Sequence, residues 1–177
     1  AKIVASAKAF VMMKNFFGND FADRQVVVGE GSTLSLGRHQ LILDMSRKEV
    51  EDYIFDSMCK VLDNANIEYV KWDFNRNFTE VGSAALEAGR QKETLHRYMI
   101  GLYDFLDKFV ERYPHILLEG CASGGGRFDP GMLYYSPQIW TSDNTDPLDR
   151  IHIQSGTSYG YPQSVMTMHV AAAISFP

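Results

Sequence analysis

Residues 46–74 read SRKEVEDYIFDSMCKVLDNANIEYVKWDF. Val50, Tyr53, Ile54, Ser57, Met58, Val61 and Leu62 recur at the spacing of an amphipathic helix. Ahead of them Ser46-Arg47-Lys48-Glu49 has the form of a capping box: the serine hydroxyl takes the third amide and the glutamate reaches back. Asn64-Ala65-Asn66 stops the helix, and Ile67 to Phe74 contains a buried-type strand. Working outward, Leu95, Tyr98, Met99, Leu102, Tyr103, Leu106, Phe109 and Val110 mark a second long helix, closed before Pro114. Ile116-Leu117-Leu118 is a strand running into Glu119-Gly120-Cys121, and Gln138-Ile139-Trp140 a third running into Thr141-Ser142-Asp143. Asp146-Pro147 offers an N-cap followed by proline at the first helical position, opening a helix to about Ser155. Such alternation of strand and helix specifies βαβ units, a parallel sheet and the α/β class. Before residue 46, Ala1 to Phe17 reads as helix, and Val26-Val27-Val28 and Leu41-Ile42-Leu43 as short strands. The stretch from Ser164 to Phe176 is open between strand and helix.

The chain has 177 residues, 45% of them hydrophobic and 22% charged, which excludes the disordered classes. Its 22 acidic against 17 basic residues leave a net charge of −5, with no Lys/Arg cluster, so no nucleic-acid partner is expected. No apolar run approaches the ~20 residues that span a bilayer, and no signal peptide is visible. Two cysteines, Cys59 and Cys121, make no disulfide framework and point to reduced thiols in a cytoplasm. A complete (β/α)₈ barrel needs about 200–250 residues or more, so this chain is short of one.

Function in parallel α/β sheets sits beyond the carboxyl ends of strands. Alternation puts Lys71, Asp73 and Asn75 on one face of the first strand end, away from Val70, Trp72 and Phe74. A lysine there would hold Asp73 ionised, and Asn75 can bind a hydroxyl; a structural ion pair is the plainer alternative. The second strand end carries Cys121 and the run Gly124-Gly125-Gly126, where backbone can pass close to a ligand. Cys121 by itself reads as a small buried hydrophobe. The third offers Asp143, with Asp146 better explained as the helix cap. Two carboxylates across a cleft are the equipment of glycoside hydrolysis, one ionised and one a proton donor. The same pair could instead hold a divalent metal, although Lys71 would compete with the cation and the five histidines are scattered. No metal or cofactor is therefore expected.

The stretches 69–76 (YVKWDFNR), 119–129 (EGCASGGGRFD) and 137–146 (PQIWTSDNTD) resemble the catalytic motifs of glycoside hydrolase family 36, the bacterial α-galactosidases. Gly37-Arg38-His39-Gln40-Leu41 and Leu43-Asp44-Met45-Ser46-Arg47 resemble the segment before that family's nucleophile strand. The resemblance runs from about Val26 to His169. It implies a retaining α-galactosidase acting on raffinose-type or synthetic α-galactosides, with Asp73 as nucleophile and Asp143 as acid/base. It places sugar contacts on Arg38, Lys71, Asn75 and Cys121, and the glycine run adds Gly124. Family members are several times longer, and their Asp-Asp and Trp-Phe-Glu-Pro strand ends do not occur in this chain. The expected architecture is thus an N-terminal helical segment, 1–25, followed by about half of a TIM-type (β/α) barrel, 26–177. An inactive half-barrel that folds or only binds sugar is the competing reading. Open strand edges and an apolar inner face predict a homodimer or higher homo-oligomer.

Overall fold

The computed structural model describes residues 42–75, 78 and 81–168, together with the backbone of 3–5. Its elements are β1 (Ile3–Ala5), α1 (Lys48–Leu62), β2 (Ile67–Asp73), α2 (Thr94–Arg112), β3 (Leu117–Cys121), α3 (Pro130–Tyr135), β4 (Gln138–Trp140), α4 (Pro147–Thr157) and β5 (Met166–Thr167). Single 3₁₀ turns at Ala88–Glu93 and Gln163–Val165 precede α2 and β5. The sheet order is β1-β2-β3-β4-β5, and β2 through β5 pair in parallel. Helices lie between successive parallel strands in sequence, as a segment of a TIM-type (β/α) barrel requires.

Ile3–Ala5 is a strand, not part of a helix; its Ile-Val pair is β-branched, and a place in a sheet overrides the helix formers around it. The rest of the proposed 1–17 helix and the Val26–Val28 strand lie outside the described residues. Leu43 makes a single bridge. The capping box does not form either. Helix α1 has Arg47 at its N-cap without a side-chain cap bond. The Ser46 hydroxyl and amide both donate to Asp44 Oδ1, at 2.6 and 3.0 Å, and Glu49 pairs with Arg47. A fully buried carboxylate needs donors more than an exposed helix end needs one acceptor, because water can serve the latter.

Contacts divide the chain into two compact units. The first holds α1 and α2, whose apolar stripes pack through Val50, Ile54, Leu102, Phe105, Leu106 and Phe109, all buried. Phe55 meets Phe105 edge to face at 6.0 Å. The buried Glu51 carboxylate takes the Lys108 ammonium, and Asp63 takes Arg112 at 2.7 Å and the Tyr113 hydroxyl at 2.8 Å. The second unit contains Glu68–Asn75 and everything described from Ile116 onward.

Register sorts the sheet residues of that second unit into two faces. Trp72, Gly120, Ile139 and Met166 lie level across β2 to β5, with Val70 beside Leu118, and all six are buried. The opposite face carries Tyr69, Lys71 and Asp73 from β2, Glu119 and Cys121 from β3, Trp140 from β4 and Thr167 from β5. Leu117 of β3, level with Tyr69 and 40% exposed, lies on the same face, so among the described residues that face mixes polar groups with apolar ones.

Candidate active site

Every described candidate lies in the second unit, at or just past the carboxyl ends of β2, β3 and β4. Asp73 is the last residue of β2 and stands level with Cys121, the last of β3. Its Oδ1 is buried and has no hydrogen-bond partner among the described residues. The carboxylate faces the Cys121 thiol. Burial first, then the Asp73 charge and hydrogen bond, push that thiol up to about 11, against opposing pulls from the Gly124 amide and Lys71. Cys121 therefore stays a neutral S–H donor near pH 7, not a nucleophile. Iodoacetamide at pH 8 should modify Cys59, which is partly exposed, and spare the buried Cys121; mass spectrometry showing equal labelling would contradict this assignment.

Lys71 does not pair with Asp73. Its ammonium lies 3.3 Å from Glu119 Oε1 and 3.9 Å above the Trp140 ring. Two residues along one strand lie nearly 7 Å apart, whereas the register partner on the next strand is about 4.8 Å away. The cross-strand carboxylate therefore wins the lysine. Glu119 is buried, and its Oε2 accepts the Tyr69 hydroxyl and, at 3.0 Å, the Thr167 hydroxyl. Burial, then the bond and charge of Glu119, hold the Tyr69 phenol well above its ordinary range, so it remains a donor.

Asn75 Oδ1 accepts the Ser123 amide at 2.7 Å and the Ser123 hydroxyl at 3.2 Å, which leaves its NH₂ as the group to meet a hydroxyl. Ser123 and Gly124 both have positive φ, 51° and 89°. A Cβ on Gly124 would stand 2.8 Å from Ser142 Cα, so glycine is what lets the β3 loop lie against the β4 loop. Asp143 is exposed, three residues beyond β4, and its Oδ1 accepts the Trp140 indole N–H at 2.8 Å. Buried Arg150 holds the same loop, donating to Thr141 Oγ1 at 2.7 Å and to the Ser142 carbonyl at 2.9 Å. The N-cap expected at Asp146 is present: its Oδ1 takes the Leu148 and Asp149 amides. Arg38 lies outside the described residues.

Sequence reasoning passed over Glu119, Trp140 and Arg150. For Glu119 a signal existed, since it alternates with Cys121 along an apolar strand. Among the described residues no group of three or more His, Cys, Asp or Glu could hold a metal ion. No helix described is long and apolar enough to cross a membrane.

Residues 16–175 match the Melibiase family. The chain belongs to that family. The matched stretch begins inside the segment 1–25 that the motifs alone left aside. Among relatives, this Melibiase chain is 60% identical over 138 residues to alpha-galactosidase AgaA of Geobacillus stearothermophilus, covering 78% of this chain and 19% of that protein. It is 54% identical over 136 residues to alpha-galactosidase Mel36A of Lactobacillus acidophilus, covering 77% and 19%. A crystal structure of the Geobacillus GH36 enzyme superposes with a TM-score of 0.83 at 55% identity, over 88% of this chain and 21% of that one. The alpha-galactosidase of Lactobacillus brevis does so with a TM-score of 0.84 at 49% identity, over 88% and 21%. This Melibiase chain thus spans about a fifth of the length of the relatives it matches.

Proposed function

We propose that the chain carries the catalytic carboxylates of a retaining α-galactosidase that removes terminal α-galactosyl residues by double displacement. Asp73 attacks the anomeric carbon; Asp143 protonates the leaving oxygen and then activates water. The observation that carries this is the buried Oδ1 of Asp73 at the end of β2, which has no hydrogen-bond partner among the described residues. A buried acceptor left without a donor is costly unless a ligand or reacting atom meets it. Asp143 follows a strand two interstrand spacings away, about 10 Å. Two aspartates leaning inward from such strands suit the ~5–5.5 Å separation of a retaining pair. Lys71, Asn75, Cys121, Gly124 and Arg38 are the proposed sugar contacts, the first three as donors.

The relatives support the reading. A variant of the Geobacillus enzyme with one aspartate changed to asparagine was crystallised with raffinose, and another with an aspartate changed to alanine with stachyose. Those two aspartates stand as many residues apart in that chain as Asp73 and Asp143 do in this one. The test is release of nitrophenol from nitrophenyl α-galactoside by the purified chain, with NMR of the first-formed sugar. The α anomer of galactose is expected first. The β anomer would overturn the retaining assignment, and galactose binding without turnover would favour the sugar-binding reading.

Self-association is proposed with it. Strands β1 and β5 lie at the margins of the sheet order, and Leu148 and Ile151, one turn apart on α4, are 73% and 63% exposed. Light scattering should give at least twice the chain mass at micromolar concentration; a clean monomer would rule this out.

A further inference from the structure

Glu119 has no place in the double displacement, yet it is among the most deeply buried side chains described. Both its oxygens are engaged, Oε2 by the Tyr69 and Thr167 hydroxyls and Oε1 by the Lys71 ammonium. Buried ion pairs are weak sources of stability, because apolar residues of like volume serve as well or better. What such a pair does supply is a fixed position. A lysine has four rotatable bonds and a mobile point charge. Here its Nζ is held from one side by Glu119 and rests 3.9 Å over Trp140, the residue whose indole N–H holds Asp143.

We propose that Glu119 is a positioning residue, whose carboxylate, fixed by Tyr69 and Thr167, seats the Lys71 ammonium over Trp140 where a galactose hydroxyl can meet it. The inference deepens the galactosidase reading and rests on it for the identity of the sugar, while the seat itself stands on this geometry alone. A prepositioned donor forms its hydrogen bond to a hydroxyl without first being ordered.

The experiment is a double-variant cycle, Glu119→Gln, Lys71→Met and both together, read in two ways. Tryptophan emission reports the seat, since a charge 3.9 Å from an indole ring perturbs it. Lys71→Met should shift the emission, Glu119→Gln should give most of that shift, and the double variant should go no further. Galactose affinity reports the function. Glu119→Gln should weaken it about tenfold in the wild-type background and less than twofold in the Lys71→Met background. Additive emission shifts, no shift in either single variant, or equal affinity losses in both backgrounds would each overturn the proposal, because a merely structural carboxylate gives those results. Thr167→Val, which keeps shape and deletes one donor to Oε2, should give a smaller shift of the same sign even where Glu119→Gln fails to fold. A wild-type chain that binds no galactose would overturn the galactosidase reading, and the emission cycle would then decide the seat by itself.

Discussion

Asp73→Ala is expected to lose about 10⁴-fold or more in turnover of nitrophenyl α-galactoside, with an unchanged far-ultraviolet circular dichroism spectrum. The side chain is the proposed nucleophile of the first step, and its buried Oδ1 makes no hydrogen bond among the described residues whose loss would unfold the sheet. Asp143→Ala is expected to fail differently. Nitrophenolate leaves readily without a proton, so the first step is largely spared, whereas attack by water on the glycosyl-enzyme loses its general base, worth roughly 10²–10⁴-fold. A burst of about one equivalent of nitrophenol followed by slow turnover is the expected trace. Azide separates the two roles further, since it needs no base. With Asp143→Ala it should restore turnover by attacking the covalent intermediate, giving α-galactosyl azide. With Asp73→Ala it should occupy the vacated space and attack the substrate directly, giving the β product. Equal residual activity in the two variants, or the products exchanged, would overturn the assignment of Asp73 and Asp143.

The parts of the fold legible in the sequence are those where one period runs long. Helices α1 and α2 and strands β2 and β4 fall where spacing put them, and Asp146-Pro147 caps α4 through side-chain bonds to two amides. The same Asp-Pro signature at Asp129-Pro130 opens α3, where Asp129 takes the Met132 amide at 3.0 Å. That signal is as plain in the sequence as the one at Asp146-Pro147. Other misreadings share a cause: the pattern along one element does not show which side chains end up buried or set opposite one another. Ser46 looks like a helix cap until Asp44 is found buried beside it. Lys71 looks like the partner of Asp73 until register sets it against Glu119. The candidate carboxylates were legible because strand ends are punctuated in sequence. The groups that hold the site's other parts were not, because Glu119, Trp140 and Arg150 matter through contacts 3 to 50 residues away along the chain.

The second large effect concerns the helical unit. Gly101 sits in the middle of α2, where glycine is about 1 kcal/mol worse than alanine by intrinsic propensity. Propensity alone makes Gly101→Ala stabilising. Packing opposes it: a Cβ at this position would lie 1.8 Å from the Met45 carbonyl oxygen and 2.8 Å from its carbonyl carbon. These are main-chain atoms, not the end of a flexible side chain, so relief requires α2 to move away from the turn at Met45-Ser46. That turn is held by buried Asp44, which binds Ser46 and also accepts the Ser83 hydroxyl, so movement there strains three segments together. Overpacking of this kind costs about 3 kcal/mol and outweighs the propensity gain. The urea midpoint of the helical signal at 222 nm should therefore fall clearly in Gly101→Ala. Gly156→Ala in α4, where an added Cβ meets nothing within 4 Å, should leave it unchanged or raise it. A Gly101→Ala chain as stable as the wild type would show that the close approach of α2 to the Met45 backbone is not part of the folded protein.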